Sequence, residues 1–157
     1  IVNKISLIHF KNHSEKSFEF SPQINCFVGN NGAGKTNVLD AIIISRLEKV
    51  FWETRMSEYS FLEDFFSIES EIHDGEKENI IRIQQPKDHK KTIKKNNKTY
   101  ERIADHVGFL PSVIISPYDS NLISDSGESR RKFLDSMISQ TDAEYLFSII
   151  QYQKVLK

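Results

Sequence analysis

The chain has 157 residues, 38% hydrophobic and 27% charged, enough for one cored domain or for one domain and the start of a second. A net charge of −1 excludes a global pull toward nucleic acid, so any such contact must use a local patch. The single cysteine, Cys26, excludes a disulfide framework and a cysteine-based zinc site, and no apolar run approaches the ~18 residues of a membrane span.

In chain order, Val2 to Phe10 read as a strand and Ser14 to Phe20 as a second, with Phe18 and Phe20 sharing a face. The short polar link Lys11-Asn12-His13 joins them as a hairpin. His9 and His13 lack a third ligand at useful spacing and read as ordinary polar positions rather than metal ligands. Past Ser21-Pro22, the run Ile24 to Val28 is short, apolar and rich in strand formers. It predicts another strand, with Cys26 as a small core residue.

Residues 29 to 36, Gly29-Asn30-Asn31-Gly32-Ala33-Gly34-Lys35-Thr36, complete a G-x-x-x-x-G-K-[ST] pattern. Behind it, Asn37-Val38-Leu39-Asp40-Ala41-Ile42-Ile43-Ile44 places its apolar residues on one broad helical face and predicts a helix from Lys35 to about Val50. Strand, glycine loop and helix in that order are the context this pattern requires. Gly32 and Gly34 allow positive φ and a close approach of backbone to ligand. The loop N–H groups then form an anion nest backed by the positive helix end. Lys35 is expected to reach the β- and γ-phosphates of ATP, and the Thr36 hydroxyl to take one position on Mg²⁺.

Phe51 to Met56 has aromatics without a period and reads as helix end or loop. Alternation returns with Phe66, Ile68 and Ile72 on one side and Ser67, Glu69 and Glu71 on the other. Asp74-Gly75-Glu76 turns this strand into Asn79 to Gln84, an antiparallel hairpin with one wet face. The basic stretch Lys87 to Lys98 reads as a solvated hairpin tip turning at Asn96-Asn97, with the acidic stretch Glu58 to Glu78 able to absorb much of its charge. Its sharper reading is a contact to DNA backbone phosphates. Arg102 to Val107 predicts a short helix closed by Gly108, and Ser112 to Ser116 a buried-type strand ended by Pro117. Asp119 follows a Pro-Tyr break, so it does not qualify as a Mg²⁺-ordering aspartate at a strand end. After Ser126-Gly127-Glu128 an amphipathic segment turns Phe133, Leu134, Met137 and Ile138 inward. Thr141-Asp142-Ala143-Glu144 is a capping box for a last helix. There Tyr145, Ile149, Tyr152 and Leu156 form a seam still running at Lys157, as in a truncated chain.

Together these motifs resemble the N-terminal part of the RecF family, bacterial recombinational-repair ATPases related to SMC proteins and ABC-type ATPases. The resemblance rests on Ile8-His9-Phe10-Lys11-Asn12, Asn25 to Gly32, Ile114-Ile115-Ser116-Pro117-Tyr118-Asp119-Ser120 and Arg130-Arg131-Lys132-Phe133-Leu134-Asp135. It implies an α/β fold: the N-terminal half of an ABC/SMC-like P-loop head with antiparallel hairpins over residues 1–125, then the first helices of an inserted arm over 126–157. It places Lys11 and Asn12 near the nucleotide, beside Gly29, Asn30, Asn31, Gly32, Ala33, Gly34, Lys35, Thr36 and Asn37, with Lys35 as the catalytic group. It further implies ATP and Mg²⁺ as cofactors and a cytoplasmic location, to which the missing signal-peptide layout also points. DNA, a second copy of the full-length chain and other recombination mediators are the implied partners. Tyr118 stands where the family usually has an acid, and the signature and Mg²⁺-ordering acidic motifs are expected downstream of residue 157. Hydrolysis is therefore not expected from these residues alone. Two other readings share the loop: a different P-loop enzyme, such as a kinase or an SMC-like defence nuclease, and a partner-docking module without catalysis.

Overall fold

The computed structural model describes residues 1–46, 64–115 and 117–156. One antiparallel sheet organises them: β1 (Val2–Phe10), β2 (His13–Glu19), β3 (Phe65–His73), β4 (Glu78–Pro86), β5 (Thr92–Lys95) and β6 (Lys98–Thr99), in the spatial order β2-β1-β3-β4-β5-β6. Strand side chains alternate between faces, and the registers Leu7↔Ile68, Ile68↔Ile83 and Ile83↔Ile93 therefore line up a continuous apolar row. Ile5, Leu7, Phe66, Ile68, Ile72, Ile81, Ile83 and Ile93 are all buried on that face. Each such side chain contributes about 1.5–3 kcal/mol by leaving water. The opposite face is polar: Ser6, Glu69, Arg82 and Lys94 stand in one cross-strand row, with Arg82 ion-paired to Glu69.

The helix after the glycine loop, α1 (Lys35–Arg46), lies against β1, β3 and β4. Val38, Ala41 and Ile44 are its buried contacts with the sheet core, at the helical spacing expected from the sequence. The tail to Val50 and the segment Phe51 to Met56 lie outside the described residues.

Both hairpin turns form where the residues demand them. Asp74 Oδ1 accepts from the Glu76 and Lys77 amides at 3.0 Å while Gly75 takes φ 109°, which closes β3 onto β4. Asn96 and Asn97 both adopt positive φ, 49° and 66°, the pairing of a type I′ turn between β5 and β6. Ile103–His106 forms a 3₁₀ turn followed by Gly108 at φ 86°.

Several expectations are corrected. Ile24 to Val28 form no strand; Ile24 is 81% and Val28 93% exposed, and Cys26 is exposed rather than in the core. Only Phe27 is partly buried there, edge-on to Phe18 and Phe20. Ser112 to Ile115 are likewise irregular, with Val113 75% and Ile115 87% exposed, and Ser116 lies outside the described residues. A strand needs a neighbour to satisfy its backbone, and no described strand lies beside either run. After a single helical turn, α2 (Asn121–Ser124), comes α3 (Gly127–Ser139). There Phe133, Leu134, Met137 and Ile138 are exposed rather than inward, because α4 (Ala143–Val155) is its main helical contact among the described residues. The cap of α4 is Asp142, whose carboxylate accepts from the Tyr145 amide at 2.9 Å, not Thr141. Leu146 is the buried residue of that helix, Tyr152 and Leu156 of the expected seam are exposed, and the helix closes at Val155.

Candidate nucleotide-binding site

The glycine loop begins where Phe27 leaves the apolar cluster and ends where α1 starts. Gly32 and Gly34 take φ 82° and 89°, so both positive-φ positions expected of the pattern occur. Ala33 N donates to Asn30 O at 3.2 Å, which tightens the middle of the loop, and Val38 N donates to Gly34 O at 3.1 Å, which opens the helix. No acidic residue occupies the first turn of α1, so nothing there offsets the positive end of its dipole.

Lys35 folds back into the loop. Its ammonium donates to Gly29 O and Asn30 O, both at 2.8 Å, and forms no ion pair among the described residues. A half-buried ammonium held only by neutral carbonyls fits an anionic ligand. At Gly32 an added Cβ would meet nothing within 4 Å, so the backbone there is open to close approach. Asn31 and Thr36 are exposed beside it. Backbone donors, one ammonium and one hydroxyl match the chemistry of a nucleotide polyphosphate with Mg²⁺.

The β1–β2 turn is part of the same assembly. Lys11, at φ 53°, pairs with Asp40 of α1. Asn12 Nδ2 donates to Gly32 O at 3.0 Å, and Asn12 Oδ1 accepts from Asn37 Nδ2 at 2.8 Å. His13 Nε2 lies 3.3 Å from Gly34 O. Asn12 thus lies against both the loop and Asn37, while Lys11 reaches Asp40 on α1. Asp40 and His13 are the members the sequence misses, because partners far apart in the chain leave no spacing to read.

The remaining titratable groups lie elsewhere. His106 is buried, its Nε2 donating to Ser45 O near the far end of α1 at 3.0 Å, and burial pushes its pKa down. Lys95 sits 3.4 Å from the Phe109 ring centroid, and burial lowers its pKa as well.

The family described as "AAA domain" matches residues 4–155. The DNA replication and repair protein RecF of Flavobacterium johnsoniae is 47% identical over 156 residues, covering 99% of this chain and 44% of that protein. A solved structure of the recombination mediator protein RecF with ATP, in the RecFOR pathway, superposes with TM-score 0.90 at 30% identity, over 98% of this chain and 43% of the other. A structure from work on ATP-driven dimerization of SMC ATPases has TM-score 0.66 at 21% identity, covering 87% of this chain and 98% of the other, and shows the shared fold. The chain therefore spans less than half the length of the RecF proteins it matches. From residue 4 to residue 155 it belongs to the AAA domain family, with the P-loop fold of ABC/SMC-like heads and a sequence similar to less than half the length of RecF proteins.

Proposed function

We propose that this chain is the nucleotide-binding part of an ATP-dependent DNA replication and repair protein of the RecF type. The observation that carries this reading is the Lys35 ammonium, held by two loop carbonyls between positive-φ glycines at the uncompensated end of α1. Gly29 to Asn37 hold the phosphates, with Lys35 as the catalytic cation and Lys11 and Asn12 bordering the nucleotide. Thr36 supplies one ligand to Mg²⁺, which when bound neutralises charge on the phosphate oxygens. Residues 1–125 act as the first lobe of the ATPase head, and 126–157 begin a helical arm. Two copies of the full-length protein close on DNA with ATP bound and separate after hydrolysis. DNA is gripped through backbone phosphates, so affinity falls with salt. The β5–β6 hairpin, with Lys94 beside Arg82 on the exposed sheet face, supports a contact of this kind.

The decisive experiment is calorimetric titration of the full-length protein with ATP and Mg²⁺. Lys35→Ala is expected to weaken binding by about 100-fold or more, since a charge-assisted contact of roughly 3 kcal/mol disappears. Wild-type affinity in that variant, with the fold intact, would remove the nucleotide-site reading.

A further inference from the structure

The turn between β1 and β2 does more than join two strands. Lys11 in the turn takes φ 53° and His9, just before the end of β1, takes φ 51°, so the chain bends sharply on both sides of Phe10. The bend presses Asn12 and His13 onto the glycine loop. A Cβ added at Gly34 would lie 2.5 Å from Asn12 Oδ1 and 2.6 Å from His13 Nε2. Gly34 is therefore glycine for a second reason besides its φ of 89°: the turn occupies the place of a side chain.

At the centre of this contact, the Gly34 carbonyl is the first acceptor of α1, bonded to the Val38 amide at 3.1 Å. His13 Nε2 approaches the same oxygen at 3.3 Å, and since a carbonyl only accepts, Nε2 carries the hydrogen. Edge-on contact with Phe18, at 5.8 Å between centroids, holds the ring in place. In a planar trans peptide the C=O and the next N–H point in opposite directions. Fixing the Gly34 oxygen toward His13 therefore fixes the Lys35 amide away from it. That amide is one of the orphan donors of the helix start.

We infer that His13 is a positioning residue of the phosphate-binding loop. Its imidazole N–H clamps the Gly34 carbonyl and so presets the Gly34–Lys35 peptide for a nucleotide polyphosphate. The inference rests on the nucleotide-site reading above and deepens it. Its content is a specific hydrogen bond, distinct from the ring packing against Phe18.

Two substitutions in the full-length protein separate those roles. His13→Phe keeps an aromatic ring beside Phe18 and removes the donor, while His13→Gln keeps a side-chain N–H donor and removes the ring. Titration with ATP and Mg²⁺ is expected to show binding weakened about 5–10-fold in His13→Phe, the worth of one hydrogen bond. His13→Gln should stay within about threefold of wild type, a change below the weight of that bond. In the nucleotide-free protein, hydrogen exchange at the Val38 amide should quicken in His13→Phe and not in His13→Gln. The inference is overturned if His13→Phe binds ATP as wild type does, or if both variants weaken alike, which would assign the effect to packing. Should His13→Phe fold poorly, His13→Ala against His13→Gln decides on the same criteria. Lys35→Ala keeps the two claims apart. Loss of binding there with none in His13→Phe sinks the positioning role alone, while wild-type binding in Lys35→Ala sinks the nucleotide reading together with it.

Discussion

His106 ties the 3₁₀ turn after β6 to α1 through a hydrogen bond. Its Nε2–H donates to Ser45 O, one turn of helix beyond the buried Ala41, while the ring lies between Tyr100 and Phe109 and Nδ1 is buried without a partner among the described residues. Burial is the largest cause of its lowered pKa; the Ser45 bond opposes it, and the charges of Lys95 and Lys91 add to it. The folded state thus resists protonation that the unfolded chain accepts near the ordinary value of 6.5. Stability from this group is complete above that pH and is lost as pH falls below it. Thermal unfolding of the chain should show a falling midpoint from pH 7 to pH 5, and His106→Gln should flatten that slope. His106→Ala at pH 7 is expected to cost roughly 2–4 kcal/mol, from the cavity and the orphaned carbonyl. At this scale the glycines and Lys35 are legible because their geometry is local, set within eight consecutive positions. His13 and His106 are not, since their carbonyl partners are 21 and 61 positions away.

Elements were readable where their own residues close their hydrogen bonds. The β3–β4 turn is dictated by Asp74, whose carboxylate is occupied by two amides and by Asn79 Nδ2 at 2.8 Å, bonds that lower its pKa to about 2. The β5–β6 turn depends on Asn96 and Asn97 tolerating the left-handed region. Asn97 is the cleaner probe, since Asn96 also bonds Asn79 Oδ1 and the Ile80 amide. Asn97→Gly should be neutral or stabilise by a few tenths of a kcal/mol, whereas Asn97→Val should cost about 1–2 kcal/mol, both measured by urea unfolding. An equal loss in the two variants would mean that the Asn97 side chain, 3.5 Å from Arg82 Nη1, matters more than its backbone. Where burial depends on another element, composition misleads. Phe133 and Leu134 of α3 have the spacing of an inward face yet stay exposed, and the cap of α4 moves one residue because Asp142 outcompetes Thr141, whose hydroxyl bonds Ile138 O instead.

Across the whole molecule, the legible parts of the antiparallel sheet are its hairpins, whose partners are neighbours in sequence. The β1–β3 pairing that joins them links strands far apart in the chain and leaves no local signal. The runs Ile24 to Val28 and Val113 to Ile115 carry equally strong strand signals and lack a partner among the described residues. Near-continuous apolar runs of this kind suit strands covered on both faces, the pattern of parallel sheets. Exposed β-branched stretches without a paired edge are otherwise an aggregation hazard. The RecF proteins that match are more than twice as long, so their additional sequence can supply both the pairing and the cover. In a protein of that length, amide exchange at residues 25–28 and 113–115 should slow by at least about 100-fold relative to the present chain, as expected when exposed strand edges become paired interior. The glycine loop hangs directly from Val28, so that pairing would also fix its leading end, and ATP should protect residues 29–34 more in the longer protein. Fast exchange at both runs in the longer protein would show that their hydrophobicity serves something other than a sheet.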